Sequence, residues 1–477
     1  SPEVETARAR TPPVPASGEV AAAARHPFPP PRRGLPRGWQ EQDPESWWTA
    51  AESCLAEVAR RLGKRAEAVA ALAVDGTSGT LVCMNGAGEA VRPALMYNDS
   101  RAGAEAEELC ELAAGHCRRH GYRFAPSFAA ARILWLLRRE PETVAAARWF
   151  CHQADYIAAR LGAPCGVSDY SNALKTGFDL FEERWPDWVG ACEGMGERLP
   201  EVAAPGARLG ELSPAAAAAT GLPAGAAVVA GATDGTAAFL ASGAHLPGDD
   251  NTTLGTTLVF KRLASGPAAS PDGLVYSHKL PGGYWLPGAA SNTGGEWVGA
   301  QFPGQDPAAL DRQAEPLLPS GLTAYPLART GERFPFASPG AEGFCDPGPA
   351  SDLERYAANL QGVAFTERLA YEVLDAAAGA GGGGIYATGA AARSDVWLQL
   401  RADATGRTVH RPACPESAFG SAVLGASALL GGLWPAARAM VRTERTFAPD
   451  PGRGAALEER YSEFRKALKK RGYLEAG

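Results

Sequence analysis

Four short turns rich in glycine and threonine recur along the chain, each after a strand-like stretch: VDGTSGT (74–80), GATDGT (231–236), LGTTLVFK (254–261) and ATGAAARSDVW (387–397). Turns of this kind expose backbone N–H groups, which can hold phosphate where the turn opens a helix or a hairpin. One such turn is a weak signal, but four in one chain favour phosphate binding. None is a GxxxxGK[ST] loop or a GxGxxG motif in a Rossmann setting, and no GxSxG elbow occurs.

Helix and strand patterns alternate in both halves of the chain, which predicts two α/β or α+β domains. Asp43 as N-cap, Pro44 at the first helical position and apolar residues at helical spacing predict a helix that runs to Leu62. A strand is predicted up to Asp75. The other predicted helices lie at 100–120, 129–139, 352–378 and 416–431 and from Thr233 onward, and the other strands at 226–231, 256–261, 273–278, 283–288 and 384–388.

Two segments are predicted to be irregular. Residues 1–40 carry nine prolines by position 36, so we expect a Pro-rich N-terminal arm there. The run AAAGAGGGG at 376–384 is typical of a flexible loop between a helix and the strand IYATG. With a join near Gly243–Gly248, the predicted domains are residues 41–245 and 246–477.

Composition limits the partners of this chain. The formal net charge of −7 argues against nucleic acid, whose binding needs a positive field. No apolar stretch approaches the roughly 20 residues that span a bilayer, so no membrane partner is expected. The nine cysteines include no CxxC pair and no zinc-ligand spacing, which favours a reducing compartment. We therefore expect a cytoplasmic protein, with the plastid stroma as an alternative.

Asp234 is the acidic residue of GATDGT and stands between an apolar strand and the small-residue helix GTAAFLASG. It would either cap that helix, a role worth about 0.5–2 kcal/mol, or act on a ligand. Gly231, Gly235 and Thr236 leave space around the carboxylate that a cap does not require, which favours the functional role. Taken separately, four further residues are explained equally well as turn or capping residues: Thr77, Ser78, Asp99 and Arg101.

Seven stretches of the chain resemble, in order, the landmarks of the FGGY family of carbohydrate kinases: DGTSGT, MYNDSRA, GATDGTAAFLASG, LGTTLVFK, GAASNTGGEW, RTGERFPF and ATGAAARSDVWLQLRADATGRTV with ESAFGSAVLGA. The resemblance runs from about residue 17 to about residue 475, and the most similar branch is that of the plant and cyanobacterial D-ribulose kinases. It implies an α/β fold of two ribonuclease-H-like, actin-like domains with a cleft between them, with sugar bound on the N-terminal side and ATP on the C-terminal side. It also implies ATP and Mg²⁺ as cofactors and a ketopentose as substrate, and assigns no metal ligand.

The same resemblance implies roles for individual residues. Asp234 would be the general base that takes the proton of the sugar hydroxyl as this hydroxyl attacks the γ-phosphate of ATP. Four residues would contact the sugar or lie beside it: Thr77, Ser78, Asp99 and Arg101. Nine would hold the nucleotide: Gly255 and Thr256 at the phosphates, Gly294 and Gly295 along the nucleotide, and Gly389, Ala390, Ala391, Ser394 and Trp397 at the adenosine.

Two departures from the family pattern bear on activity. Family members open with a strand and a DFGTSGAR-like phosphate loop, whereas this chain joins the pattern near SGEV at 17–20, so we expect that first strand and loop to be missing. The triple glycine of the adenine loop reads Gly389-Ala390-Ala391 here. We expect a methyl group there to obstruct adenosine, and alanine at positive φ to cost roughly 1–2 kcal/mol.

The sequence thus predicts an ATP-dependent kinase that converts D-ribulose to D-ribulose 5-phosphate. Two alternatives stay open. One is a catalytically impaired relative that binds sugar or nucleotide and lacks the first phosphate loop. The other is a kinase for xylulose, glycerol or another polyol.

Overall fold

The computed structural model describes residues 8–11, 15, 17–270 and 272–474, and it divides the chain into two compact units. The first unit takes in the described residues up to Ala241, together with 278–283 and 416–441. The second takes in 242–277, 284–415 and 442 onward. Each unit therefore combines segments that are distant in the chain.

The first unit contains most of the short strands. Its strands are β1 (Arg8–Thr11), β2 (Ala24–Pro27), β3 (Glu41–Gln42), β4 (Ala71–Gly76), β5 (Leu81–Met84), β6 (Ala94–Leu95), β7 (Trp149–His152), β8 (Val167–Asp169), β9 (Glu201–Ala203), β10 (Arg208–Glu211) and β11 (Ala227–Thr233). Its first nine helices are α1 (Pro44–Leu62), α2 (Gly103–Leu112), α3 (Ala114–His120), α4 (Ala129–Arg139), α5 (Pro141–Ala146), α6 (Gln153–Leu161), α7 (Tyr170–Ala173), α8 (Pro214–Thr220) and α9 (Asp234–Ser242).

Two sheets organise the first unit. One has the order β10-β11-β4, in which β4 and β11 run parallel, and the other has the order β3-β6-β5-β7 and is antiparallel. Helix α1 is confirmed as predicted: Asp43 caps it by accepting the N–H of Glu45 at 3.1 Å, and its buried face includes Trp47, Leu55 and Val58. This face packs into the core of the unit, because an amphipathic helix must bury its apolar stripe.

The Pro-rich arm contains regular structure that its composition did not predict. Strands β1 and β2 pair antiparallel, with Arg8 opposite Pro27 and Thr11 opposite Ala24. Pro27 is the last residue of β2, where the missing N–H of a proline interrupts no ladder. The expected absence of a first strand and phosphate loop concerns the start of the chain, where residues 1–7 and 12–14 lie outside the described residues, so it stays a prediction.

The second unit is built on one large sheet and a long central helix. Its strands are β12 (Asp250–Leu254), β13 (Leu258–Arg262), β15 (Tyr284–Ser291), β16 (Thr323–Tyr325), β17 (Phe344–Asp346), β18 (Ile385–Thr388), β19 (Val409–Pro412) and β20 (Thr443–Phe447), together with the first residues of β14 (Tyr276–Leu280), whose remaining residues are assigned to the first unit. Its helices are α10 (Glu296–Gln301), α11 (Pro307–Ala314), α12 (Asp352–Ala378), α13 (Asp395–Thr405) and, after α14 (Ser417–Ser427) and α15 (Leu433–Met440) of the first unit, α16 (Pro451–Lys470).

The main sheet of the second unit contains the run β15-β13-β12-β18-β19-β20. Strand β12 lies inside this run, although the sequence reasoning missed it because its residues DNTTL are mostly polar. Asp250 accepts hydrogen bonds from Nε and Nη2 of Arg262 at 2.8 and 2.9 Å, and the Thr252 hydroxyl donates to Oε1 of Glu367 at 2.5 Å. Buried partners from other elements therefore make a polar strand stable in the interior.

The glycine run before β18, which its composition predicts to be a flexible loop, is packed at some positions, whereas Gly379 and Gly382 have no neighbour within 4 Å of where a Cβ would lie. A Cβ at Gly381 would lie 2.3 Å from Nη2 of Arg262, and one at Gly383 would lie 2.2 Å from Oδ1 of Asp249. These positions are glycine because their neighbours leave no room for a side chain. Among the described residues, no helix has the length and apolar character needed to cross a bilayer.

Candidate active site

Thr77, Ser78 and Asp234 follow the ends of two neighbouring strands of the first unit. Strands β4 and β11 pair in parallel, with Asp75 opposite Ala232. Because the carboxyl ends of parallel strands meet at one edge of a sheet, the turn after β4 and the start of α9 lie at the same edge. The structure thus brings together three predicted site residues that are far apart in the chain.

Asp234 is exposed at the start of α9, and its Oδ1 accepts a hydrogen bond from the N–H of Gly235 at 2.6 Å. The N-terminus of a helix favours negative charge, so a carboxylate is a favourable residue at this position. The preceding residue is held from another element: the N–H of Thr233 donates to Oγ of Ser171 at 2.8 Å, and this hydroxyl donates to Oδ1 of Asp169 at 2.6 Å. The end of β11 is therefore anchored beside Asp234.

Asp169 is a fully buried acid behind this edge of the sheet. It also accepts hydrogen bonds from the N–H of Ser171 at 2.8 Å and from Nδ2 of Asn172 at 2.6 Å. Burial raises the pKa of Asp169 and the nearby charge of Asp155 adds to the rise, whereas the hydrogen bonds from Ser171 and Asn172 oppose it. Asp169 thus serves as an internal anchor.

The turn after β4 presents one hydroxyl with unused hydrogen-bonding capacity. Oγ of Ser78 is buried and has no hydrogen-bond partner within the described part of the chain. Thr77 is engaged, since its N–H and its hydroxyl both donate to Oε1 of Gln153 at 2.9 Å. A buried polar group without a partner costs about 1–3 kcal/mol. A sugar hydroxyl bound beside Ser78 would supply the missing hydrogen bond.

Arg132 of α4 holds this turn, and the sequence reasoning missed it. Its side chain is fully buried, and Nη2 donates to the carbonyl oxygens of Gly79 and Ser127, both at 2.6 Å. Nη1 donates to the carbonyl of Leu95 at 3.2 Å. Burial lowers the pKa of Arg132 to about 10, with the charge of Asp99 opposing, so the guanidinium stays protonated at neutral pH.

The sequence feature that could have identified Arg132 is its position on the apolar face of helix α4. It stands three residues after Ala129 and four before Leu136, both of which are fully buried. Residues three and four apart share a face of a helix. An arginine on the apolar face of α4 therefore needs buried acceptors, and in this case it finds them in the turn that carries Ser78.

Asp99 and Arg101 form a buried ion pair within the first unit. Oδ2 of Asp99 accepts from Nη2 of Arg101 at 2.8 Å and from the N–H of Gln40 at 2.6 Å. Nη2 of Arg101 also donates to Oε1 of Glu41 at 2.8 Å, and its guanidinium lies 3.8 Å from the ring centroid of Trp39. Nη1 of Arg101 is buried without a hydrogen-bond partner among the described residues. These contacts are structural, and sugar contact by the pair stays a prediction.

Gly255 and Thr256 form the turn between β12 and β13 in the second unit, and Gly294 and Gly295 pack onto it. The N–H of Gly295 donates to the carbonyl of Gly255 at 2.8 Å, and that of Glu296 to the carbonyl of Thr256 at 3.2 Å. A Cβ at Gly294 would lie 2.4 Å from the carbonyl oxygen of Thr256, so this contact requires glycine. The structure brings these four predicted nucleotide residues together.

Glu332 holds the segment that leads into Gly294, and it is the second residue that the sequence reasoning missed. It is 4% exposed. Its Oε1 accepts from the N–H of Asn292 at 2.6 Å, and its Oε2 accepts from the hydroxyls of Ser291 at 3.0 Å and Thr293 at 2.8 Å. The signal was present in the landmark RTGERFPF, whose glutamate had been given no role.

Gly389, Ala390 and Ala391, which are predicted to lie at the adenosine, follow β18 and contact the same hairpin. Gly389 has φ of 86°, and a Cβ there would lie 2.5 Å from the carbonyl oxygen of Leu254. Ala390 and Ala391 begin a 3₁₀ helix, and among the described non-glycine residues only Glu183 has positive φ. The strain expected for alanine at this loop is therefore wrong, because glycine occupies the one position of the three that needs positive φ.

Ser394 and Trp397 have structural partners in the second unit. Oγ of Ser394 accepts the N–H of Trp397 at 3.1 Å and so caps α13. Trp397 is 4% exposed, and its Nε1 donates to the carbonyl of Leu360 at 3.2 Å. Contact of either residue with adenosine stays a prediction.

Both domains of the FGGY family of carbohydrate kinases match this chain, the N-terminal domain at residues 8–241 and the C-terminal domain at 251–429. A xylulose kinase from Streptomyces rubiginosus is 31% identical over 416 residues, which cover 83% of this chain and 81% of that protein. The crystal structure of a xylulose kinase from Rhodospirillum rubrum is 29% identical, with a TM-score of 0.84 and coverage of 98% of this chain and 97% of that chain.

A glycerol kinase from Plasmodium falciparum, solved with ADP, is 17% identical, with a TM-score of 0.83 over 99% of this chain and 97% of that chain. At this identity the likeness concerns the fold alone. The predicted α/β fold is therefore confirmed over nearly the whole chain, and so is the prediction of an enzyme that transfers a phosphoryl group to a sugar hydroxyl. The chain belongs to the FGGY family of carbohydrate kinases.

Proposed function

We propose that this protein transfers the γ-phosphoryl group of ATP to the terminal hydroxyl of a ketopentose. The observation that supports the proposal is the common position of Ser78 and Asp234 at the carboxyl ends of β4 and β11. One supplies a buried hydroxyl with unused hydrogen-bonding capacity, and the other an exposed carboxylate. A sugar at this edge would be bound by the first and activated by the second.

Asp234 has the chemistry of the general base. A sugar hydroxyl is a weak nucleophile, and a carboxylate that accepts its proton both orients it and offsets the charge that develops as the phosphorus–oxygen bond forms. General base catalysis contributes typically ~10²–10⁴-fold to the rate. The anchoring of Thr233 by Ser171 keeps this carboxylate in position.

The turn at Gly255 and Thr256 is the proposed phosphate-binding element of the second unit. It is stabilised by the N–H groups of Gly295 and Glu296 and packs against Gly389 through Leu254. The match of residues 251–429 to the C-terminal domain of the FGGY kinases supports ATP as the second ligand. Asn292, held by Glu332, belongs to the segment that supports this turn.

The Mg²⁺ that accompanies ATP takes oxygen ligands and is usually held by one or two carboxylates together with the phosphates. The carboxylate of Asp75, near the end of β4, has the oxygen chemistry that such an ion requires. Bound there, Mg²⁺ would neutralise phosphate charge.

Two ketopentoses are the leading candidates for the substrate. The names of the xylulose kinases from Streptomyces rubiginosus and Rhodospirillum rubrum favour D-xylulose. The resemblance of the sequence landmarks to the D-ribulose kinases favours D-ribulose, the epimer of D-xylulose at carbon 3. We place D-xylulose first, because that support comes from relatives aligned over most of the chain.

The test is a panel of D-xylulose, D-ribulose and glycerol with Mg-ATP, followed by coupled detection of ADP. We expect kcat/KM for one ketopentose to exceed that for glycerol by at least tenfold. A preference for glycerol would contradict the proposal. Binding of sugar and ATP without turnover would instead favour the catalytically impaired relative.

Asp234→Asn is the decisive variant. The amide keeps the size of the side chain but cannot accept the proton, so we expect kcat to fall by ~10²–10⁴-fold while the KM for sugar changes little. The control is Asp187→Asn, since the Asp187 side chain is 93% exposed in the same unit. An Asp234→Asn enzyme as fast as the parent would exclude the assigned role.

A further inference from the structure

A second cluster of ligand-type side chains lies in the first unit and shares no residue with the strand ends that carry Ser78 and Asp234. His116 and His120 stand four residues apart on α3, so they share one face of the helix. Asp179 approaches them from a loop far along the chain. One potential ligand atom from each of the three residues lies within 4.8 Å of the other two.

The three side chains are largely shielded from solvent. His120 is 4% exposed and Asp179 is 6% exposed, while His116 is half-buried. Two imidazoles and one carboxylate that face one another in the interior are donors of the kind that bind metal ions.

One pair of ligand atoms has the spacing of a small-cation site, and all three atoms lie within 4.8 Å of one another. Nε2 of His120 lies 3.3 Å from Oδ1 of Asp179, yet it is buried and has no hydrogen-bond partner within the described residues. In a tetrahedral site with bonds of about 2.0–2.2 Å, neighbouring ligand atoms are about 3.3–3.6 Å apart. The two atoms are thus at the separation that a shared ion would impose.

We propose that His116, His120 and Asp179 bind one divalent transition-metal ion of the Zn²⁺ type, with water at the remaining position. Two imidazoles and one carboxylate suit Zn²⁺ and Co²⁺ better than Mg²⁺, which prefers oxygen ligands. The ion would link α3 to the loop that carries Asp179, some 60 residues later, which makes its role structural.

The surroundings of the three ligands fit this assignment. The N–H groups of Phe181 and Glu182 donate to Oδ1 of Asp179 at 2.9 and 3.0 Å and so orient the carboxylate. The hydroxyl of Tyr122 lies 2.8 Å from Nε2 of His116 and holds that ring. Hydrogen bonds of this kind to ligand side chains are usual around metal ions.

One positive charge opposes the ion. Nη1 of Arg119 lies 3.4 Å from Oδ2 of Asp179. However, this arginine is 45% exposed and its Nη2 makes a shorter contact, 2.6 Å, with Glu182. Arg119 can therefore remain paired with Glu182 while Asp179 turns to an ion.

The probe is Co²⁺, titrated into metal-free full-length protein after the accessible thiols have been blocked. We expect one equivalent to bind, with the visible absorption bands of four- or five-coordinate Co²⁺ and no thiolate band. His120→Gln and Asp179→Asn should each weaken binding at least tenfold, and Zn²⁺ should raise the Tm of the parent but not of Asp179→Asn. Asp179→Asn keeps the shape of the side chain, so it remains informative if the histidine variant folds poorly.

The matched control is His26→Gln, which removes an exposed histidine from the same unit and should leave Co²⁺ affinity unchanged. Three results would overturn the proposal: no bound Co²⁺ in the parent, equal affinity in parent and Asp179→Asn, or a thiolate band that follows binding. Because the readout is metal binding, it is independent of whether the kinase assay succeeds.

Discussion

The turn after β4 in the first unit and the hairpin between β12 and β13 in the second are held by buried side chains of opposite charge. Arg132 reaches the first turn directly and donates to the carbonyl of Gly79. Glu332 acts on the hairpin indirectly. It accepts hydrogen bonds from N–H and hydroxyl groups of residues 291–293, and the next residues, Gly295 and Glu296, donate hydrogen bonds to the hairpin. A buried cation holds a loop by donating hydrogen bonds to the carbonyl groups of the loop. A buried anion holds a loop by accepting hydrogen bonds from its N–H and hydroxyl groups.

Because the two turns are held in different ways, they differ in the polar groups that they leave for a ligand. At the turn after β4, which we propose binds the sugar, Arg132 occupies carbonyl groups and leaves the hydroxyl of Ser78 without a partner among the described residues. At the hairpin between β12 and β13, which we propose binds the nucleotide, the carbonyls of Gly255 and Thr256 accept N–H groups of the next segment. Loss of Arg132 should therefore affect sugar binding, and loss of Glu332 should affect nucleotide binding.

Arg132→Met is expected to have the largest effect on stability. Methionine keeps the length of the side chain but leaves several buried carbonyl groups without donors, each costing about 1–3 kcal/mol, so the free energy of unfolding should fall by about 3–5 kcal/mol. Urea denaturation measures the loss. Arg139→Met, at an exposed position of the same helix, is the control and should change stability by less than about 0.5 kcal/mol.

Arg132→Lys tests the positioning of the turn separately from the stability of the fold, because lysine keeps the positive charge but not the forked set of donors of the guanidinium group. We expect this variant to fold, to raise the KM for sugar severalfold and to leave the KM for ATP unchanged. A KM for sugar equal to that of the parent would contradict the role of Arg132 in sugar binding.

Glu332→Gln should have an intermediate effect. The amide turns an NH₂ group toward donors that need an acceptor, which should lower the free energy of unfolding by about 2–3 kcal/mol. The KM for ATP should rise while that for sugar stays constant. Glu342→Gln changes an exposed glutamate of the same unit and should be neutral. If Glu332→Gln raised both KM values equally, the hairpin would not be its specific target.

Ser78→Ala should have the smallest effect on stability, and it tests most directly whether the turn after β4 binds the sugar. The hydroxyl has no partner among the described residues, so its removal should leave the Tm unchanged or slightly higher. The loss of one hydrogen bond to the sugar should raise the KM for sugar by about 2–10-fold. Thr77→Val should instead lower the Tm and leave the KM for sugar unchanged, because the Thr77 hydroxyl already bonds to Gln153. A lower Tm in Ser78→Ala would argue for a structural role.

Local patterns predicted several elements well. The predicted helices at 129–139 and 352–378 have the bounds that the structure gives to α4 and α12, and Asp43 caps α1 as expected. Caps and helical periodicity involve residues at most a few positions apart, so they can be read from the chain directly. Strand β12 could not be read in this way, because its polar residues are satisfied by Arg262 and Glu367.

The candidate site shows the same division. The chain itself marks Asp234, Ser78 and the glycine-rich turns as chemically suited residues at strand ends, and the ordered landmarks determine the family. The folded structure was needed to show that the ends of β4 and β11 are neighbours, that Asp99 and Arg101 are bonded to each other, and that Arg132 and Glu332 are the charges that hold the turns. Sequence order records local backbone preferences, whereas a buried charge is stable only beside partners that the fold brings from distant parts of the chain.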